Sequence, residues 1–198
     1  MNNINDAITI TFPDGKTKEY DKGITGYEIA ESIAKSLAKI AIAVSVDNIQ
    51  KDLSDSINSD SSISIITLEN DEGLEIMRHT LTAQVLAKAI KNLYPLAKLA
   101  IGPTIDNGFY YDVSFEKQIS SEDLPKIEKE MNKIIKNGSA INKTIHSKED
   151  AIKLFNERNE TYKVDIINKS EQDDNFQIYT QGESGFIDLC YGPHLPNL

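Results

Sequence analysis

Residues 7–20 read Ala7-Ile8-Thr9-Ile10-Thr11-Phe12-Pro13-Asp14-Gly15-Lys16-Thr17-Lys18-Glu19-Tyr20. The first six alternate apolar and polar, the period-2 pattern of a strand with one buried face. Pro13-Asp14-Gly15-Lys16 is a tight-turn signature, so Thr17 to Tyr20 reads as the returning strand of a hairpin. Downstream, Thr25-Gly26-Tyr27-Glu28 has the form of a capping box, in which the threonine hydroxyl and glutamate carboxylate satisfy free N–H groups at a helix start. Ile29, Ala30, Ile33, Ala34 and Leu37 then repeat at helical spacing. Residues 41–46 and 63–67 read as two further strands, with a polar connection between them that includes residues 52–57. Together these elements predict a β-grasp-like unit over residues 1–69, with no catalytic constellation inside it.

Asp71-Glu72-Gly73 is a polar break before a long amphipathic helix, whose expected buried stripe is Leu74, Met77, Leu81, Val85, Ala89 and Leu93. Residues 98–103 read as a strand leading to Asn107-Gly108, a strong hairpin signal, and residues 109–113 as its aromatic-rich return. A helix is expected from Ser121, with Pro125 in its first turn and Gly138 as its stop. Residues 141–145 read as a strand, 148–156 as a helix, 162–167 as strand or loop, and 176–179 as a short strand. Interleaved helices and strands predict an α+β domain over residues 70–198, so the whole chain is α+β.

The 198 residues carry a net charge of −10, from 31 acidic against 21 basic side chains. That balance disfavours bulk electrostatic gripping of nucleic acid, which relies on Lys and Arg displacing counterions, but leaves room for a local site that reads one end of a nucleic acid. No apolar run approaches a membrane span, and Met1 to Asp6 lacks the basic and apolar regions of a secretory leader. One cysteine forms no internal disulfide, which predicts a reducing, cytoplasmic setting. That cysteine, Cys190, stands four residues before His194 on a turn forced by Gly192-Pro193, an arrangement suited to chemistry or metal binding. His79, taken alone, reads as an ordinary helix residue, and His146 as a surface one.

Four blocks occur in an order that resembles bacterial threonyl-tRNA synthetases. They are residues 73–79 (GLEIMRH), residues 101–112 (IGPTIDNGFYYD), Tyr162-Lys163-Val164, and Asp188-Leu189-Cys190 with Gly192-Pro193-His194 and Pro196-Asn197. The first unit resembles the TGS domain of that family, and the second its editing domain, of the threonyl/alanyl type. The resemblance implies hydrolysis of seryl-tRNA for threonine. Serine and threonine differ by one methyl, worth only about 1–3 kcal/mol in a pocket, so a second site must remove the mischarged ester.

Carried over residue by residue, the resemblance implies that His79 activates a water or the 2′-hydroxyl and that Lys163 orients the water. Cys190 and His194 supply the facing turn. Asp188 would bind the substrate's amino group or hydroxyl, Tyr110 would line the pocket, and Gln84 would hydrogen-bond the adenosine or the ester. Two departures stand out. The family's second helical histidine is replaced by Gln84, one residue further along, and Tyr191 replaces an arginine. Five residues in a regular α-helix turn Gln84 about 140° from His79, so a π-turn is expected to restore the face. The expected cofactor is none in this chain. Zinc at His79, Cys190 and His194 is the alternative, while ATP, magnesium and zinc would belong to a catalytic core beyond Leu198. The expected partners are tRNA for threonine and a separately encoded core, with no membrane and a monomeric fragment truncated at its C-terminal end. The alternative function is a non-catalytic tRNA- or partner-binding fragment with a degenerate editing site.

Overall fold

A computed structural model describes residues 7–198; residues 1–6, read above for the absence of a leader, lie outside the described residues. The alternating stretch forms β1 (Ala7–Thr11), turns at Pro13-Asp14-Gly15 and returns as β2 (Thr17–Asp21), with Ile8 opposite Tyr20 and Ile10 opposite Lys18. After β3 (Ile24–Thr25), α1 (Gly26–Ile33) begins with the expected capping box: Thr25 Oγ1 accepts from the Glu28 N–H, and the Glu28 carboxylate accepts from the Thr25 N–H. The helix does not run on through Leu37. It breaks at Ala34, which is fully extended, and resumes as α2 (Lys35–Ile40). The break turns Leu37 and Ala38 back onto Ala30, Ala41 and Leu53, burial that a straight helix would forgo.

β4 (Ala41–Val46) follows, and an Asp47-Asn48 turn with both φ angles positive leads into β5 (Ile49–Asp52). The connection read as polar therefore contains a strand, and also β6 (Ser56–Ile57), which pairs with β3. β7 (Ser61–Thr67) completes a five-stranded sheet in the order β2-β1-β7-β4-β5, with β1 and β7 parallel. Ile8, Ile10, Ile29, Val44, Val46, Ile57 and Ile63 form its core. A second patch of the same unit gathers Ile42, Ala43, Ile66 and Ile76, against which Leu195 packs.

The chain divides into two compact units, one running through Met77 with Pro193–Pro196, the other being Arg78–Gly192 with Asn197–Leu198. The long helix read from residue 74 to 93 is three pieces: α3 (Asp71–Thr80), a π-helix (Leu81–Leu86) and α4 (Ala87–Leu93). The expected stripe fails at its ends. Val85 and Ala89 are buried, but Leu74, Met77 and Leu93 are each more than a third exposed, and Ile76, Ala83, Ala87 and Ile90 are buried instead. The extra residue in the π-helix changes the phase of the apolar repeat, which a single 3.6-residue period cannot follow.

Beyond α4, the strands expected over 98–103 and 109–113 shrink to short pairs. β8 (Lys98–Leu99) pairs with β11 (Val113–Ser114), and β9 (Thr104–Ile105) with β10 (Gly108–Phe109) across Asp106-Asn107. Proline has no N–H for a ladder, so Gly102-Pro103 interrupts the strand. A 3₁₀ turn at Ser121–Asp123 leads into α5 (Leu124–Asn137), which carries Pro125 in its first turn and stops at left-handed Gly138.

β12 (Ile141–His146), β13 (Phe176–Gln181) and β14 (Ile187–Leu189) form an antiparallel sheet. Between the first two lie α6 (Lys148–Glu157) and α7 (Thr161–Lys169). Residues 162–167 are thus helical, neither strand nor loop. Val164 and Ile167, three apart, pack with Ala151 and Phe155 against Phe176 and Ile178, so tertiary burial outweighs the β-branched composition of the segment. Helix accounts for 38% and strand for 29% of the structure, which is an α+β chain. No helix among the described residues is long and apolar enough to cross a membrane.

Candidate active site

Cys190 continues the line of β14, its N–H donating to the Gln177 carbonyl at 3.2 Å. This backbone bond fixes where the thiol points. Cys190 Sγ lies 2.9 Å from His79 Nε2, joining residues 111 positions apart. Burial first, and the nearby Asp188 charge second, push the Cys190 thiol up to about 12. The sulfur therefore keeps its proton at neutral pH and is a weak nucleophile. It can donate that proton in a hydrogen bond to the imidazole. Two ligands of one tetrahedral zinc would stand roughly 3.5 Å apart, given bonds of about 2.0–2.3 Å, and the sulfur would have to be a thiolate. The 2.9 Å contact is the length of a hydrogen bond.

Two residues before the cysteine, Asp188 Oδ1 lies 2.7 Å from Lys163 Nζ. Both residues are buried, with 2% and 4% exposure. Helix α7 carries the lysine and β14 the aspartate, so the pair ties helix to sheet. The Leu189 N–H donates to Asp188 Oδ1 at 2.9 Å, and the Tyr111 hydroxyl donates to Oδ2 at 3.4 Å. Lys163 in turn donates to the Tyr111 oxygen at 3.3 Å. Burial raises the Asp188 carboxyl above the usual carboxylate range, opposed by the Lys163 charge and these donors. Burial, then the Asp188 charge, likewise hold the Tyr111 proton on its oxygen.

Tyr111 is the residue that sequence reading missed. Tyr110 was expected to line the pocket, but it is 51% exposed. The signal lay in the period-2 alternation: Tyr111, Val113 and Phe115 all pack against the cluster of Ala87, Ile90, Ala97 and Leu99, which puts residues 110, 112 and 114 on the other side. Gly102 makes the arrangement sterically feasible, because a Cβ there would fall 2.3 Å from Tyr111 Cδ2 and 2.7 Å from Thr82 Cγ2.

The π-turn expected between His79 and Gln84 is present. The Ala87 N–H reaches the Thr82 carbonyl, an i→i−5 bond, and Thr82 Oγ1 donates to the Arg78 carbonyl at 2.8 Å where the α-ladder is interrupted. Gln84 is fully buried, and its Oε1 accepts from Gln181 Nε2 at 3.1 Å. Of the remaining expected residues, His194 belongs to the first unit and is buried, its N–H donating to Asp52 Oδ1 at 3.0 Å. Tyr191 is 78% exposed. His146 lies on β12 beside the Thr144 hydroxyl and joins none of these groups.

Residues 8–67 match the TGS domain. Over 190 residues, 96% of the chain, it is 50% identical to a threonine–tRNA ligase of Francisella philomiragia. It matches the N-terminal region of threonine–tRNA ligases. A threonine–tRNA ligase of Acetivibrio thermocellus is 47% identical over 95% of the chain, and one of Clostridium novyi 47% over 96%. The chain spans 29% of the length of each of these ligases. The five-stranded unit described above is thus the TGS domain of a ligase-like N-terminal region. His79, Lys163, Asp188 and Cys190 all lie beyond it, in the part that follows.

Proposed function

We propose that this chain is an aminoacyl-tRNA deacylase, the editing region of a threonyl-tRNA synthetase, acting on the seryl ester of tRNA for threonine in the cytoplasm. The observation that carries the reading is the 2.9 Å His79–Cys190 contact beside the buried Lys163–Asp188–Tyr111 network. Hydrolysis needs a water, a group to take its proton and a donor for the developing oxyanion. His79 takes the proton from the water, or from the 2′-hydroxyl that relays it. Cys190, protonated, holds the imidazole in place and does not attack the ester itself. Lys163 presents its remaining N–H donors to the water. Asp188 Oδ2, held among the described residues by the long Tyr111 contact, has capacity to accept from the seryl ammonium or hydroxyl.

His194 completes the binding turn, and no metal takes part. The partner in this reading is the aminoacylated end of tRNA for threonine. One observation favours a second reading, a tRNA-binding fragment without turnover: a glutamine stands where the family's second helical histidine would be, and glutamine is no general base. Incubating the chain with seryl-tRNA and threonyl-tRNA separates the two. Release of serine above buffer, with threonine spared, supports the deacylase. Binding without release supports the fragment.

A further inference from the structure

Three buried polar side chains outside the His79–Cys190 and Lys163–Asp188 pairs, Lys88, Gln181 and Gln84, form a chain of their own. Lys88 of α4, 8% exposed, donates from Nζ to Gln181 Oε1 at 3.0 Å. Gln181 of β13, fully buried, donates from Nε2 to Gln84 Oε1 at 3.1 Å and also to the Gln84 backbone carbonyl. Gln84 Nε2 is buried and has no hydrogen-bond partner among the described residues.

The direction of this chain is set chemically. A lysine ammonium has donors and no acceptor, so it takes the oxygen end of Gln181. Gln181 must then offer its NH₂ to Gln84, which fixes the Gln84 oxygen on Gln181 and leaves the Gln84 NH₂ facing away. Burial lowers the affinity of Lys88 for its proton, while the Glu130 charge works to retain it. A buried donor without an acceptor is costly in a native protein and marks a place where a ligand can supply one.

We propose that Lys88 and Gln181 are positioning residues that lock the Gln84 amide as a hydrogen-bond donor to an acceptor oxygen of the bound aminoacyl ester. The proposal rests on the deacylase reading. It gives the replaced position a role other than that of a base: Gln84 stabilises charge on the ester oxygen while His79 handles the proton. The π-helix supports it, since absorbing one extra residue turns Gln84 back from the roughly 140° that a regular α-helix would put between it and His79.

The test uses the full chain and the amide-linked analogue of 3′-seryl-adenosine, which cannot be hydrolysed, with side-chain amide NMR of Gln84 and binding calorimetry. In the wild type the analogue should shift one Gln84 Nε2 proton downfield. Lys88→Met and Gln181→Glu should each weaken binding at least about tenfold, as expected for a lost buried donor, and abolish that shift. Lys88→Arg, which keeps a donor, should remain within about threefold of wild type. Analogue binding with an unmoved Gln84 amide, a measurement on the wild type that needs no variant to fold, overturns the donor role and leaves the deacylase reading standing. Failure of the wild type both to bind the analogue and to release serine from seryl-tRNA removes the two together.

Discussion

Asp188 accepts from Lys163, from the Leu189 N–H and from Tyr111, all out of water. Removing one member of such a buried pair leaves an uncompensated charge, a loss of about 3–5 kcal/mol. Asp188→Asn should therefore lower unfolding stability by an amount of that order in urea, and Lys163→Met/Asp188→Leu should recover most of it; equal losses in the single and double variants would show that the pair itself matters little. Cys190 gives a pH dependence. Its folded pKa, about 12, lies above the roughly 8.5 of a free thiol. Below that free value both folded and unfolded states hold the proton and the thiol contributes nothing. As pH rises beyond it the unfolded chain releases a proton that the native state keeps, so the contribution turns against folding until about pH 12. Cys190→Ser should flatten that alkaline fall in thermal stability. In the wild type, iodoacetamide at pH 8 should modify the thiol far more slowly than in the denatured chain.

The π-helix between α3 and α4 holds one residue more than an α-helix needs. Deleting Leu81 should let the α-ladder close across this segment with both flanks in register. Circular dichroism should then report a folded chain, and amide exchange should slow at Val85 and Ala87. A chain that no longer folds would mean that the extra residue is built into the packing. At this scale sequence reading is instructive in both directions. The β1–β2 hairpin, the Thr25–Glu28 capping box and the Gly138 stop were legible because each depends on a few adjacent residues, and the π-turn because the family resemblance implied one residue too many between His79 and Gln84. The break at Ala34, the β5 and β6 strands and the helical state of α7 were not, because each is decided by burial against distant segments. The site divides the same way. The motifs quoted His79 with Cys190 and Lys163 with Asp188, the two pairs that the structure brings into contact, whereas the contact of Tyr111 rather than Tyr110 with Asp188 turns on which face of a short extended segment meets α4.

At the scale of the whole molecule, the first compact unit draws on both ends of the chain. Leu195 packs on Ile42, Ala43, Ile66 and Ile76, and the His194 N–H donates to Asp52, so the strands of the TGS fold take a small apolar anchor from residues 193–196. Leu195→Ala should accordingly reduce amide-exchange protection in β4 and β7 while leaving β12 and β13 unchanged; uniform loss, or none, would contradict that anchoring. The account's central claim, that His79 moves the proton in ester hydrolysis, is tested most directly by single-turnover release of serine from seryl-tRNA for threonine by the wild type and by His79→Ala. Release by the wild type should be measurable and should fall about 10²-fold or more in the variant, the usual contribution of a positioned general base. Equal rates in the two proteins would contradict it.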